Sequence, residues 1–510
     1  MSVLSKLVRD LFRAGGGNGL SAAREGAVDC GEVLKQAEAA AANGRLNAAL
    51  ELYKTAIEKN PESVDAWLGA AAVLVDLWAL GDAVAAYERA LELAPKSNVI
   101  FSALLFHRHY DTPVDARRLF ELHREYGMRM DNSFPRAPAK SEGRVDLQRR
   151  LRIGYVSPNL SRHSVGYFIE PVIRSHNRRE FEVYCYYNHA LADDATGRMR
   201  EAADGWRDVA GIDDESLARM VHEDKIDILV DLAGHSKGNR LGAFARCHAP
   251  LQFTWLGYPD TTGLATIGYR ITDNTADPAP AADLKHTEQL ARIDGCFLCY
   301  EPPADAPAIK KRAADSVVTF GSFNNVAKIN RPLLELWAKI LTAVPDSRLM
   351  LKCAPLNFPD TVDRLTEALE ECGIEPSRVE LRGWTSGRDQ HLDAYAEIDI
   401  ALDTFPYNGT TTTCEALWMG VPVVTLAGEV HMSRVGASLL HCAGLDDLVA
   451  QDEAQYVRIA AALAGDVERR EGLRSGLRAR LLGSSLLDHA GFTRKLESVY
   501  RAAWARSGQL

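Results

Sequence analysis

A 34-residue period near the start of the chain limits its possible folds more than any other sequence feature. The first repeat carries a small residue, an aromatic residue, a second small residue and a terminal proline, at Ala49, Tyr53, Ala56 and Pro61. The second repeat has the same types at the same spacing, at Ala83, Tyr87, Ala90 and Pro95. Small residues at these places let paired helices approach closely, and the proline ends the second helix of each pair. The period therefore predicts stacked helix pairs.

This period resembles the tetratricopeptide repeat. One position departs from it, because the turn residue Gly44 is matched at this spacing by Trp78. A third repeat, from about 98 to 126, keeps the helical pattern without the signature and is predicted to cap the stack. The expected order is a flexible segment at 1–29, a repeat domain at 30–127 and a linker at 128–150. An ordinary helical hairpin domain is the alternative.

Short strands rich in Val, Ile and Tyr alternate with helical segments through the rest of the chain, in two series. Examples are 151–156 and 226–230 in the first series and 317–320 and 398–402 in the second. Such alternation is typical of right-handed crossover units on a parallel sheet. We therefore predict two doubly wound, Rossmann-like lobes at 151–305 and 315–510. Ligands of such lobes bind beyond the carboxyl ends of the strands, in a cleft lined by the loops found there.

Composition and charge narrow the function classes. A formal net charge of −10 would repel a polyanion, so we predict no general nucleic-acid binding. No run reaches the roughly 18 uncharged apolar residues that cross a bilayer, and the first residues lack the apolar core of a signal peptide, so we expect a cytoplasmic protein with no membrane contact. The nine cysteines are sparse and odd in number, which favours buried thiols. The C-x-x-C pair Cys296 and Cys299 is interpreted as a buried strand end, with a redox or zinc site as the alternative.

A histidine, His163, lies in the loop after the first strand of the first lobe. A histidine in such a place can orient a substrate or accept a proton near neutral pH. It can equally well cap the helix that follows. The local sequence leaves both roles open.

Two loops of the second lobe are predicted to bind an anion. Lys328 follows a strand and precedes a helix, which suits a phosphate at a helix N-terminus, although a solvated surface lysine is the alternative. In the other loop Gly409 leads into four threonines at 410–413, whose hydroxyls and backbone N–H groups can form an uncharged cradle for a diphosphate. Glu415, one turn into that helix, can accept hydrogen bonds from a ribose diol. Plain helix capping by threonine is the alternative.

The chain has no Asp-x-Asp motif, the carboxylate pair that commonly holds a divalent metal on a nucleotide-sugar diphosphate. We therefore expect no metal and no other cofactor. A leaving diphosphate would have to be stabilised by Lys328 and by helix-terminus amides. The chain also lacks a P-loop motif, which argues against a P-loop NTPase.

Several motifs occur in one order: Gly154-Tyr-Val-Ser with His163, Trp255-Leu-Gly-Tyr-Pro259, Phe323-Asn-Asn with Lys328, Asp403-Thr-Phe-Pro-Tyr before Gly409-Thr-Thr-Thr-Thr413, and Gly428-Glu429 before Ser433-Arg434-Val435. Together with the short repeats, this order resembles the protein O-linked N-acetylglucosamine transferases, and their SPINDLY-like branch most closely. The resemblance covers about 30 to 500. It implies a GT-B pair of lobes, an inverting and metal-independent transfer, a nucleotide-sugar donor, and Ser or Thr hydroxyls of proteins as acceptors.

The resemblance also implies roles for single residues of the second lobe. Lys328 is expected to bind the diphosphate and to act in catalysis. Thr410, Thr411 and Thr412 are expected at the phosphates and the adjoining sugar. Glu415 is expected at the ribose.

Three further residues receive roles in the same way. Asn325 and His391 are expected at the base or the sugar of the donor. His163 is expected near the acceptor hydroxyl, as a catalytic residue. The repeats are expected to recruit the acceptor protein and to take no part in the chemistry.

The identity of the transferred sugar is left open by the sequence, because three positions differ from those of the animal-type enzymes. Thr410 replaces a histidine of their Gly-His-Thr-Thr motif, Glu415 replaces an aspartate, and Ala394 replaces an arginine. The changes match the plant SPINDLY branch, whose members transfer fucose from GDP-fucose. We predict transfer of a single N-acetylglucosamine from UDP-N-acetylglucosamine to protein Ser or Thr. Protein O-fucosylation from GDP-fucose and a non-catalytic repeat scaffold are the alternatives.

Overall fold

The computed structural model of the protein describes residues 30–134, 146, 148–246, 249–313, 316–385 and 387–507. The segment expected to be flexible, 1–29, and part of the expected linker lie outside the described residues. The described helices of the first half are α1 (Cys30–Ala42), α2 (Leu46–Lys59), α3 (Val64–Asp76), α4 (Leu80–Leu93), α5 (Asn98–Arg108), α6 (Ala116–Ser133), α7 (Ser164–Ser175), α8 (Asp194–Ala202), α9 (Asp214–Glu223) and α10 (Leu241–Arg246). Those of the second half are α11 (Arg331–Ala343), α12 (Pro359–Glu371), α13 (Arg388–Asp393), α14 (Thr411–Trp418), α15 (Val435–Cys442), α16 (Glu453–Gly465), α17 (Val467–Leu482) and α18 (His489–Ser507).

The described strands form two series along the chain. The first comprises β1 (Leu151–Ser157), β2 (Phe181–Tyr187), β3 (Gly205–Asp208), β4 (Ile228–Asp231), β5 (Leu251–Thr254), β6 (Tyr269–Thr272) and β7 (Gln289–Arg292). The second comprises β8 (Thr319–Ser322), β9 (Arg348–Lys352), β10 (Val379–Arg382), β11 (Ile400–Leu402), β12 (Val423–Leu426) and β13 (Val449–Ala450).

The chain folds as two compact units. The first unit comprises the described residues of Met1–Val114 and Ser322–Ser386, and the second comprises those of Asp115–Gly321 and Gly387–Leu510.

The repeat helices α1 to α5 belong to the first unit. Helix α1 packs against α2, and α3 packs against α4. The alanines and tyrosines of the 34-residue period are buried in their common core. Ser63 caps α3 by accepting a hydrogen bond from the Ala66 N–H at 3.3 Å. The predicted tetratricopeptide repeats are confirmed.

The turn position of the repeats explains why Trp78 can replace a glycine there. The backbone is left-handed at both counterparts, with φ of 72° at Gly44 and 57° at Trp78. That region costs a residue with a Cβ roughly 1 kcal/mol. The Trp78 indole Nε1 donates a hydrogen bond to the Ile329 carbonyl at 2.6 Å, which offsets this cost.

Further contacts of the first unit join the repeats to α12 and the residues before it. Thr361 Oγ1 donates to the Asp76 carbonyl at 2.7 Å, and the Asn47 N–H donates to the Asp360 carboxylate at 2.8 Å. The Phe358 ring packs against the repeat core. The repeats are therefore part of the same compact body as the loop that carries Lys328, which the sequence did not indicate.

Strands of the second unit form a parallel sheet in the order β3-β2-β1-β4-β5-β6-β7. In the same unit β8 pairs in parallel with β11, β11 with β12, and β12 with β13. In the first unit β9 and β10 pair in parallel. Most residues of the central strands are buried, as expected for strands covered on both faces. The predicted fold class, repeats followed by two Rossmann-like parallel-sheet domains, is confirmed.

Helix α6 lies in the second unit although it directly follows the repeats. A Cβ added to Gly127 would lie 1.7 Å from the Gly263 carbonyl oxygen, so only glycine allows this backbone approach. The His123 ring is 2.7 Å from the Tyr258 hydroxyl. The helix extends to Ser133, into the segment expected as a linker.

Candidate active site

The Asp403 carboxylate organises the loop that leads from β11 to α14. One oxygen accepts hydrogen bonds from the backbone N–H groups of Gly409 at 2.6 Å and Thr404 at 2.9 Å. The other accepts from Thr425 Oγ1 at 2.7 Å. Asp403 is 2% exposed, so these bonds are needed to satisfy a buried carboxylate. The loop therefore fixes the position of the α14 N-terminus.

The head of α14 carries the threonines that the sequence analysis selected. Thr410, at the N-cap position, makes no side-chain cap hydrogen bond. Thr411 Oγ1 is buried and has no hydrogen-bond partner among the described residues. An uncapped helix N-terminus offers N–H donors and a favourable dipole to an anion. The first turn of α14 can therefore accept a phosphate through both backbone and hydroxyl groups.

His391 and Glu415 form a buried pair beside this turn. The His391 Nε2 atom lies 3.1 Å from a Glu415 carboxylate oxygen, and the two residues are 7% and 5% exposed. The Tyr395 hydroxyl lies 3.5 Å from the same oxygen and donates to the Thr412 carbonyl at 3.2 Å. Two expected donor-site residues that are far apart in sequence thus meet at the head of α14.

Arg388 and Tyr167 were missed by the sequence analysis. The Arg388 guanidinium stands over the Tyr167 ring, 4.0 Å from its centre. Its Nε and Nη2 atoms are buried and have no hydrogen-bond partner in the described part of the chain. Arg388 precedes His391 by three residues, a spacing that places both on one face of a helix and could have pointed to it. The arrangement brings α7 of the first lobe to α13 of the second.

Two tyrosines enclose the same region. Burial raises the pKa of the Tyr167 phenol and holds the pKa of Tyr300 well above its ordinary value. The Tyr300 hydroxyl is buried and has no hydrogen-bond partner among the residues that the structure describes. Both phenols therefore stay protonated at neutral pH and can act as hydrogen-bond donors.

His163 caps α7. Its Nδ1 accepts a hydrogen bond from the Val165 N–H at 3.1 Å, which requires the neutral ring to carry its proton on Nε2. The residue as a whole is exposed, yet protein packed around the ring removes part of its solvent, and this desolvation lowers the pKa of His163 below its ordinary value. The free Nε2 is thus a hydrogen-bond donor in this conformation.

Asn325 and Lys328 lie together in the first unit. A short 3-10 helix, Val326–Lys328, follows β8, and the Asn325 side chain caps it by accepting from the Ala327 N–H at 3.0 Å. The Lys328 side chain is half-buried. The next carbonyl, of Ile329, is the one that Trp78 binds, so the repeats hold this loop.

Other motifs of the first lobe have structural roles. Trp255 Nε1 donates to the Phe297 carbonyl at 3.0 Å. The Thr262 N–H donates to the Glu288 carboxylate at 2.7 Å, and the Thr262 carbonyl is 2.9 Å from His235 Nε2. These groups hold the segment on which α6 packs.

Comparison with known proteins identifies the family. Residues 34–98 match the tetratricopeptide repeat, and residues 135–313 and 306–496 match glycosyl transferase family 41. None of the described helices is long and apolar enough to cross a membrane.

Two of the similar curated proteins come from plants. A Solanum lycopersicum protein named "Probable UDP-N-acetylglucosamine--peptide N-acetylglucosaminyltransferase SPINDLY" is 45% identical over 422 residues, which are 82% of this chain and 45% of the relative. The Arabidopsis thaliana protein of the same name is 45% identical over 395 residues, 76% of this chain and 43% of the relative. The chain thus spans less than half the length of these relatives.

A solved structure covers the whole chain. A mutant of the Thermobaculum terrenum O-GlcNAc transferase is similar with a TM-score of 0.87 and 36% identity, covering 100% of this chain and 99% of that one. The chain therefore belongs to glycosyl transferase family 41.

Proposed function

We propose that the protein transfers a single N-acetylglucosamine from UDP-N-acetylglucosamine to Ser or Thr hydroxyls of acceptor proteins. The observation that carries the proposal is the buried pair of His391 and Glu415 beside the uncapped head of α14. The names of the curated relatives and of the solved transferase support this donor.

Donor binding is assigned to the residues that gather around α14. Thr410, Thr411 and Thr412 bind phosphate oxygens through backbone N–H and hydroxyl groups, as helix N-termini do. Glu415 accepts a hydrogen bond from the donor ribose while His391 orients its carboxylate and contacts the base. Asn325 caps the loop of Lys328 and contacts the donor beside it.

The diphosphate leaving group is stabilised by Lys328 and by backbone N–H donors, without a metal. A fixed cation stabilises the charge that grows on the leaving group as the glycosidic bond breaks. In the inverting displacement that we propose, the acceptor hydroxyl attacks the anomeric carbon from the face opposite the diphosphate. The acceptor oxygen loses its proton as the new bond forms.

His163 acts in this scheme as a hydrogen-bond donor that orients a substrate oxygen. Its Nδ1 is occupied by the Val165 N–H, so Nε2 carries the proton of the neutral ring. A ring in this tautomer cannot accept the acceptor's proton at Nε2. The proton must leave toward another base, such as a donor phosphate oxygen.

GDP-fucose is the second candidate donor. It is favoured by Thr410, Glu415 and Ala394, which replace the histidine, aspartate and arginine of the animal-type enzymes. The repeats recruit the acceptor protein on their helical surface. The cytoplasm is the compartment that we propose, in keeping with the unpaired state of the described cysteines.

A donor comparison tests the proposal. The full chain is incubated with EDTA, an acceptor protein and either UDP-N-acetylglucosamine or GDP-fucose, and the sugar added to the acceptor is identified by mass spectrometry. We expect N-acetylglucosamine on the acceptor and no loss of rate with EDTA. Fucose alone would establish the second candidate, and no transfer from either donor would favour a repeat scaffold.

A further inference from the structure

The last of the ordered sequence motifs forms a tight loop, residues 428–434, to which the proposed function assigns no role. The loop follows β12 and precedes α15. Within it the Gly428 N–H donates to the Ser433 carbonyl at 2.9 Å, and Arg434 Nη1 donates to the Gly428 carbonyl at 2.9 Å. Ser433 Oγ donates to the Val430 carbonyl at 2.8 Å. The 428–434 loop therefore holds its shape through its own hydrogen bonds.

Two side chains of this loop join it to the first lobe, at the segment that follows β6. His431 Nδ1 lies 2.6 Å from a carboxylate oxygen of Asp277. Arg434 Nε donates to the Thr275 carbonyl at 2.8 Å. Both segments belong to the second unit. The 428–434 loop is therefore a place where the two lobes are hydrogen-bonded to each other within that unit.

His431 and Asp277 form a buried pair of fixed geometry. They are 5% and 1% exposed, and the His431 ring packs edge-on against Phe297 with the ring centres 5.0 Å apart. Because an ionised carboxylate only accepts hydrogen bonds, His431 Nδ1 must carry a proton and donate it. Thr272 Oγ1, at the end of β6, donates to the same Asp277 oxygen. The first lobe thus sets the position of the His431 ring.

The 428–434 loop also holds the chain just before α14. The carbonyl of Met432, the residue after His431, accepts a hydrogen bond from the Asn408 N–H at 2.9 Å. Asn408 is 1% exposed, and its side-chain oxygen accepts from the Gly436 N–H of α15 at 3.2 Å. Gly409 and the threonines of the α14 head follow directly. A change at His431 can therefore reach the head of α14 through one neighbouring residue and one hydrogen bond.

We propose that His431 and Asp277 are positioning residues, which hold the head of α14 in the shape that binds the nucleotide. Neither residue is assigned a contact with the nucleotide. A binding site needs its groups held to within about 0.5 Å, and a buried hydrogen-bonded pair resists displacement because its charge has no water to replace a lost partner. The proposal rests on the proposed function in one respect, which is that the nucleotide binds at the head of α14.

Three substitutions of His431 separate the Nδ1 hydrogen bond from the rest of the ring. An asparagine amide nitrogen reaches about the position of Nδ1, so His431→Asn should keep a donor for Asp277. A glutamine amide nitrogen reaches instead toward the position of Nε2, so His431→Gln should lose this hydrogen bond. His431→Leu fills the space without any donor.

Calorimetric titration of the full chain in EDTA measures the effect, first with UDP and then with GDP, together with the thermal midpoint of each variant. His431→Leu and His431→Gln should weaken nucleotide binding about five- to tenfold, because each loses a hydrogen bond to a charged group. His431→Asn should bind within about twofold of the wild type, because it keeps that bond. A role in stability alone would change the thermal midpoint and leave the affinity of the folded protein unchanged.

His176→Leu is the matched control for loss of a buried histidine. His176 is 4% exposed, and its Nδ1 lies 2.9 Å from a Glu497 carboxylate oxygen. Its described hydrogen bonds go to Glu497 and Tyr155 and not to the 428–434 loop. His176→Leu should therefore lower the thermal midpoint and leave nucleotide binding unchanged.

A surface variant keeps the test decisive if the His431 variants do not fold. Lys285 Nζ, in the first lobe, donates to the Glu429 carbonyl of the 428–434 loop at 2.6 Å. Lys285→Met should weaken nucleotide binding about two- to fivefold.

Two results would overturn the proposal. One is wild-type affinity in Lys285→Met together with wild-type affinity, or failure to fold, in His431→Leu. The other is equal affinity in His431→Asn and His431→Gln. A wild-type chain that binds neither nucleotide would instead contradict the proposed function, and with it the nucleotide site on which this proposal rests.

Discussion

Replacing Trp78 with phenylalanine should weaken donor use although Trp78 lies in the repeats. The change keeps the aromatic ring and the left-handed backbone, but it removes the Nε1–H that binds the Ile329 carbonyl at 2.6 Å. One such hydrogen bond contributes about 1 kcal/mol net. If that energy acts wholly on the Lys328 loop, the donor KM or the turnover should change by up to about fivefold.

The assay measures initial transfer rates over a range of donor concentrations, together with the thermal midpoint of each variant. Trp418→Phe is the matched control, because it removes an indole N–H that is buried without a hydrogen-bond partner in the described structure, so no hydrogen bond is lost with it. Trp78→Gly separates the effect of backbone strain from the effect of the side-chain hydrogen bond at this position. It relieves roughly 1 kcal/mol of backbone strain but loses the bond and a half-buried indole. Unchanged kinetics in Trp78→Phe, with a raised thermal midpoint in Trp78→Gly, would refute the link between repeats and loop.

Four further predictions concern the proposed chemistry and the role of the repeats in it. Lys328→Ala should lower turnover about 10²- to 10³-fold with the fold intact. The control variant Lys339→Ala, at an exposed lysine of α11, should leave turnover unchanged. Equal turnover in the two variants would exclude a role of Lys328 at the diphosphate. Protonation of His163 at Nδ1 would set two donors against each other at the Val165 N–H and so release the ring from its cap position. Because the pKa of His163 is lowered, this should occur only below the ordinary pKa of about 6.5, and an acid limb of the pH–rate profile in that range should be absent in His163→Ala. His163→Ala should also weaken donor or acceptor affinity together with rate, and a loss of turnover alone would instead indicate a general base. A chain lacking residues 1–114 should lose donor hydrolysis as well as acceptor modification, because the body that carries the Lys328 loop loses its contacts with Trp78, Asp76 and Asn47 and exposes Phe358. Full donor hydrolysis by that chain would contradict this.

The repeats and the two parallel sheets could be predicted because their signals are local. Four residue types recur at one spacing in the repeats, and the strands are short runs of buried β-branched and aromatic residues. The threonines at 410–413 stand out in the sequence for the same reason, since consecutive threonines are poor helix formers. Their role at the phosphates stays a prediction.

Contacts between distant residues were not predictable in this way. The meeting of His391 with Glu415, and of Arg388 with Tyr167, depends on how elements pack and leaves no spacing in the sequence. The tautomer of His163 depends on one backbone N–H, so the sequence left both of its roles open. In the sequence, Trp78 stands out only because it occupies a position where the repeat has glycine. Its hydrogen-bond partner, the Ile329 carbonyl, lies 251 residues away along the chain.

Nucleotide binding to the head of α14 tests the central claim most directly. Calorimetric titration with UDP and with GDP, in EDTA, is performed on the wild-type chain, on Thr411→Val and on the control Thr342→Val, whose hydroxyl donates to a backbone carbonyl of its own helix. We predict that UDP binds more tightly than GDP. Thr411→Val should weaken UDP binding about tenfold, because a hydrogen bond to a charged group is worth about 1.5 kcal/mol or more. Absence of binding by either nucleotide, or equal affinity in the wild type and Thr411→Val, would contradict the account.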